Sequence, residues 1–96
     1  MEIELTDNEF LRQFETTINE ELAIIEYAPG ERKIFLTKTN IPESVTDEDF
    51  QNKFIKAVLD LVDDRELKMM PTCPKIVKFV RKHKRYKNLL PVGVRI

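Results

Sequence analysis

Three short stretches of the chain carry residues capable of chemistry. The first is Cys73, the single cysteine, followed by Pro74 in Pro71-Thr72-Cys73-Pro74. A thiol at the start of a helix sits in the positive end of the dipole, which favours thiolate, so Cys73 is a candidate nucleophile. A buried, inert cysteine at a strand-to-helix turn fits the same position. The second stretch is Thr46-Asp47-Glu48-Asp49-Phe50-Gln51-Asn52-Lys53, in which three successive carboxylates stand where a helix should begin. They suit a capped helix start, because carboxylates take up the unpaired N–H groups of a first turn. The third is Lys38-Thr39-Asn40. Lysine acts as a base only with a strongly lowered pKa, and nothing near it in sequence supplies one, so Lys38 reads as a solvated or phosphate-facing charge.

Metal chemistry has little to work with. One cysteine and one histidine make neither an internal disulfide nor a Cys/His zinc set. His83 lies in Arg81-Lys82-His83-Lys84-Arg85, and it is expected to pack near Tyr86.

The elements that must position these residues follow from hydrophobic period. Residues 9–18 read as one amphipathic strand with imperfect alternation, and Leu22 to Tyr27 as a second. Pro29-Gly30 is a turn signal that closes a hairpin with Lys33 to Thr39. From Phe50 the period changes. Phe50, Phe54, Ala57, Val58, Leu61 and Val62 fall on one helical face, with Thr46 as expected N-cap and the helix beginning near Asp47. Leu67 to Met70 predicts a central strand. Pro71-Thr72-Cys73-Pro74 opens a second helix that buries Ile76, Val77, Phe79 and Val80. The tail from Leu89 to Ile96 reads as extended, without an assigned partner. The six phenylalanines, Phe10 among them, fall at core-like positions rather than forming a base-stacking platform. Three strands, a helix, a strand and a helix define an α+β class with a mixed sheet.

A chain of 96 residues holds one hydrophobic core, so a single domain spanning 1–96 is expected. The acidic start and the lack of a long apolar run point away from export and membrane insertion, and the lone thiol suits a reducing, cytoplasmic setting. The net charge of -1 conceals an asymmetry. All 17 acids lie in residues 1–66, whereas residues 75–96 carry eight Lys/Arg and no acid. Such a block serves either as a solvated face complementing the acidic half or as a seat for phosphate-rich partners. Nucleic acid ranks last among those partners, since the whole domain is not basic.

Residues 9–90 resemble the compact branch of the GNAT superfamily of acetyl-CoA-dependent N-acetyltransferase-like proteins. The marks are Ile41-Pro42-Glu43, Lys53 through Asp60, Leu67-Lys68, Pro71-Thr72-Cys73-Pro74, and His83 followed by Tyr86. The resemblance implies a mainly antiparallel mixed sheet with two main helices, acetyl-CoA as donor and an amine as acceptor. It also places the cofactor between the strand near Leu36 to Thr39 and the first helix. Lys38, Thr39 and residues Asp47, Glu48, Asp49, Phe50, Gln51, Asn52 and Lys53 are then the cofactor-binding positions, with Cys73 as the catalytic candidate.

The family's loop is of the type Arg/Gln-x-x-Gly-x-Gly/Ala, so that backbone N–H groups approach a pyrophosphate closely. Here Asp47, Asp49 and Gln51 stand in place of the glycines and Thr46 in place of the basic residue. One like-charge pair at ~4 Å costs about 1 kcal/mol in water and roughly 4 at an effective dielectric of 20. The acids therefore oppose the family's phosphate grip. Two readings follow: an N-acetyltransferase in which Lys38, Lys53 or the basic second helix supplies the missing positive charge, or a catalytically silent GNAT-fold module that binds a partner or serves a structural role.

Overall fold

Asn19 and Glu20 both take positive φ, 52° and 64°. This is the backbone of a two-residue hairpin loop whose twist matches that of the flanking strands. Ile18 accordingly pairs with Glu21, and a second two-residue loop, Glu31-Arg32, pairs Gly30 with Lys33. The computed structural model describes residues 3–94 and 96, and it orders them as β1 Thr6–Asn8, β2 Gln13–Ile18, β3 Glu21–Gly30, β4 Lys33–Asn40, α1 Glu48–Asp64, β5 Lys68–Pro71 and α2 Pro74–Lys82, then a 3-10 segment Lys84–Leu89. The strands form one sheet in the order β1-β2-β3-β4-β5, antiparallel except for the parallel β4–β5 pair. This is the mixed, mainly antiparallel sheet with two main helices expected of the α+β class.

Five features depart from the sequence reading. Residues 9–18 are not one strand. Leu11 N donates to Asn8 Oδ1 at 3.0 Å and Arg12 has φ 54°, so the chain turns between β1 and β2. Phe10, at the tip of that turn, is 94% exposed and belongs to no core. The hairpin turn lies at Glu31-Arg32, two residues beyond Pro29-Gly30, because β3 keeps pairing through Gly30. Finally, β5 is an edge strand rather than a central one, since no sixth strand joins it among the described residues. The carboxyl tail turns instead of extending, with Val94 N donating to Pro91 O at 3.0 Å. Arg95 lies outside the described residues.

The two helices share one hydrophobic cluster with one face of the sheet. Phe50, Phe54, Ile55, Val58, Leu59 and Val62 form the buried stripe of α1. At about 1.5–3 kcal/mol per fully buried large apolar side chain, that stripe rather than helix propensity holds α1 in place. In α2, Ile76, Phe79 and Val80 are buried while Val77 is only half-buried. The edge is tied in by Asp7, which accepts from the Tyr27 hydroxyl at 2.6 Å and pairs with Arg65 at 2.8 Å beyond the end of α1. Burial and the neighbouring Asp7 carboxylate push the Tyr27 hydroxyl up to about 12.

Candidate functional site

The site is created by a break in alternation within β4. Leu36 pairs with Tyr27 and Lys38 with Glu26, so Thr37 is an extra residue without a partner on β3. Such a bulge bends the strand and shifts the side-chain phase. Ile34 and Leu36 face the core. Without the bulge Lys38 would follow them. With it, Thr39 does, opposite the buried Ile25, while Lys38 turns to the open face beside Glu26.

At the same point β4 and β5 part. Their parallel pairing covers only Lys33–Leu36 against Lys68–Pro71. It ends where Thr72 donates to the Leu36 carbonyl twice, from N at 3.0 Å and from Oγ1 at 3.1 Å. β4 continues to Asn40, whereas the chain after β5 swings into α2. Thr39 and Cys73 meet in the resulting fork, Oγ1 to Sγ 3.2 Å.

Cys73 is buried, as the inert reading expected, but it is not electrostatically neutral ground. Burial pushes its thiol up. The Thr39 hydroxyl, the N–H groups of Lys75 and Ile76 and that of Thr39 together outweigh burial and hold the thiol below its usual range. Cys73 is also the N-cap of α2. Its side chain closes no cap hydrogen bond of full geometry, so the first turn of α2 acts on the sulfur as oriented N–H dipoles rather than through a formed bond.

The start of α1 fans its residues apart at about 100° each, so the positions that sequence grouped together do not form one surface. Asp47, not Thr46, is the N-cap, and its side chain accepts from Asp49 N at 2.9 Å. Thr46 is one residue too early to reach those N–H groups. Phe50 is buried in the core. Glu48, Gln51 and Asn52 point toward α2, and Lys53 is paired with Asp49 at 3.1 Å. Of the cofactor-binding positions marked by sequence, only Thr39 reaches the fork.

The basic second helix, one of the sources of positive charge weighed from sequence, faces this helix start. Lys75, Lys78 and Lys82 recur along α2 at spacings of three and four, so they share one face. With Phe79, Glu48, Gln51 and Asn52 they line a groove of about 180 Å³ between α1 and α2. An adjoining pocket of about 350 Å³ continues from it past Phe79 to His83, Arg85 and Tyr86. His83 stacks on Phe79 with ring centroids 4.3 Å apart, and Phe79 in turn lies 5.6 Å from Tyr86, which is the structural packing expected for that histidine. The basic period of α2 was the available signal for the groove. Among the described residues there is no cluster of three metal-ligating side chains, and no helix is long and apolar enough to cross a membrane.

A bulged β4, a parallel β5 that parts from it, and helices packed over the fork define an N-acetyltransferase-type fold. The chain belongs to the GCN5-related N-acetyl-transferase family, whose model matches residues 13–89. No curated protein matches it. Among solved structures it is similar to the NMR solution structure of a GCN5-like protein from Staphylococcus aureus, at 21% sequence identity and a TM-score of 0.70 over 97% of this chain and 91% of that one. At that identity the likeness speaks for the fold.

Proposed function

We propose that the protein transfers an acetyl group from acetyl-CoA to an amine, with the thioester in the β4–β5 fork and the phosphates on the lysines of α2. The fork carries this reading. Among the described residues it is the place where two parallel strands leave their facing backbone edges free to align an extended, amide-bearing arm such as the pantetheine of coenzyme A. In the transfer the amine nitrogen attacks the acetyl carbonyl carbon and the C–S bond breaks. Coenzyme A leaves as thiolate, and the proton lost by nitrogen passes to it or to solvent.

Lys75, Lys78 and Lys82 take the part that glycines and a basic residue play in the family's loop, and Gln51 and Asn52 supply polar groups on the opposite wall. Asp47, Glu48 and Asp49 then act as helix caps that push phosphate toward α2. Lys38, on the open face, and Lys53, held by Asp49, play no direct part. Cys73 positions the thioester through its hydrogen bond with Thr39. If it acted as a carrier instead, its thiolate would displace coenzyme A to form an acetyl-cysteine that the amine then cleaves. A cytoplasmic, reducing setting would keep that thiol free.

Titration with acetyl-CoA and coenzyme A, by calorimetry and NMR shifts, tests the reading alongside Cys73→Ala. Micromolar binding with shifts at Thr39, Cys73 and the first two turns of α2 is expected. Binding only at millimolar concentration, or none, overturns it in favour of a silent GNAT-fold module that binds a protein partner, the reading that the acid cap of α1 favours. Transfer retained in Cys73→Ala excludes the carrier route.

A further inference from the structure

Two planar, exposed side chains beyond the end of α2 are each backed by a buried aromatic ring. His83 lies on Phe79 with ring centroids 4.3 Å apart, and the Arg85 guanidinium lies 4.7 Å from the centroid of the Tyr86 ring. Phe79 and Tyr86 are only 5% and 6% exposed, so they hold the outer pair from beneath while His83 and Arg85 stay open to solvent. Both outer side chains line the pocket of about 350 Å³ that continues the α1–α2 groove. Imidazole and guanidinium planes held in this way are surfaces on which a flat heteroaromatic base stacks.

The opposite wall is one face of α1, where Asp49, Asn52, Lys53 and Lys56 fall at spacings of three and four. Lys53 is matched by Asp49 at 3.1 Å. Lys56 and Arg85 instead share a single carboxylate, Lys56 Nζ lying 2.8 Å from Asp60 Oδ2 and Arg85 Nη2 3.6 Å from Asp60 Oδ1. One carboxylate cannot neutralise both. Arg85 Nη2 also donates to the Tyr86 hydroxyl at 2.7 Å, and that hydroxyl donates to Asp60 Oδ1 at 3.0 Å. These contacts orient the guanidinium through one of its nitrogens and leave the rest of its planar fork for a ligand. Lys56 and Arg85 therefore offer a phosphate monoester two cations, beside the stacking surface of His83.

We infer that this pocket binds an adenosine 3′,5′-bisphosphate group, the end of coenzyme A, with adenine on His83 and the 3′-phosphate on Lys56 and Arg85. Its place in coenzyme A rests on the transfer reading above; as a nucleoside bisphosphate site it stands without it. The groove and the pocket meet at Phe79, and α2 carries the chain about 12 Å from Lys75 to His83 at ~1.5 Å per residue. A pyrophosphate on the α2 lysines thus leaves its adenosine within reach of the pocket. The consequence is selection: dephospho-coenzyme A has a neutral hydroxyl where coenzyme A carries the 3′-phosphate, and it leaves Lys56 and Arg85 without a ligand charge.

Calorimetry at low salt with three ligands tests this. Coenzyme A should bind roughly tenfold more tightly than dephospho-coenzyme A. Lys56→Gln and Arg85→Gln should each weaken coenzyme A by roughly threefold to fivefold and leave dephospho-coenzyme A unchanged, a split that loss of packing would not produce. His83→Ala should weaken both by roughly tenfold through the lost stacking. Adenosine 3′,5′-bisphosphate, which has no pantetheine arm to enter the fork, should by itself shift the amides of Asn52, His83 and Tyr86 in isotope-labelled protein. Equal binding of coenzyme A and dephospho-coenzyme A overturns the inference and leaves the transfer reading standing. Shifts by the bisphosphate without binding of coenzyme A support the pocket and overturn the transfer reading. No binding of any of the three overturns both.

Discussion

The two helix starts in this molecule carry the same backbone dipole and opposite chemistry. At α1, Asp47 accepts from Asp49 N, Glu48 and Asp49 occupy the first turn, and Asp49 also holds Lys53. The positive end of the dipole is already neutralised by the chain itself. At α2, Cys73 closes no cap bond, Pro74 takes the first turn, no acid is present, and Lys75 begins a basic face. There the dipole and the lysines add. On the transfer reading, the potential that favours phosphate lies one helix away from the acids of α1, on the other wall of the same groove.

The largest expected effect comes from removing that displaced potential. Lys75→Gln, Lys78→Gln and Lys82→Gln together should weaken acetyl-CoA binding by roughly 30- to 100-fold at low salt in calorimetry, with little change in the unfolding midpoint, because each exposed charge contributes about 1 kcal/mol to a phosphate at ~4 Å. Unchanged affinity would return the phosphates to α1 and erase the contrast. Asp47→Ala should do the reverse, costing about 1 kcal/mol in urea denaturation through the lost cap while sparing acetyl-CoA affinity. Glu48→Gln should strengthen acetyl-CoA binding about threefold to fivefold, and the gain should fade at high salt as screening removes the repulsion it relieves.

The smallest effect is a shift in pH. Thr39→Val removes a hydrogen bond that favours the Cys73 thiolate, so alkylation by iodoacetamide should set in at higher pH than in the unaltered protein. The sign for stability follows. A thiol lowered in the folded state adds stability that is fully present above its unfolded value of 9.0 and is lost as pH falls through the folded one. The Thr39→Val protein should therefore lose its stability difference from the parent at neutral pH and show it only on the alkaline side, as read by urea titration at several pH values. An identical alkylation profile would make the first turn of α2, not Thr39, the source of the lowered thiol.

The legible parts of the fold are those whose pattern is local and long. Helical period from Phe50 to Val62 placed the start of α1 to within a residue, and an apolar run with a turn signal gave the β3–β4 hairpin, with its turn two residues early. β1 was not legible, because three residues carry too little alternation to stand apart from β2. Phe10 was misread for the same reason: hydrophobicity without a partner says nothing about which side of a turn it occupies. In the site, adjacency misled. Lys38 and Thr39 are neighbours in sequence, yet the bulge at Thr37 sends one to the open face and the other to Cys73.

Sequence by itself determined the α+β class, the acidic and capped start of α1, the basic face of α2 and the presence of a lone thiol before a helix, since residue type and short periods decide these. Only the tertiary structure decided that the lysines of α2 face Glu48, Gln51 and Asn52 across one groove, and that Cys73 meets Thr39. Thr39 and Cys73 are 34 positions apart, and a contact at that distance depends on the bulge in β4 and the parting of β5. Both arise from how strands pair, which no local run of residues encodes.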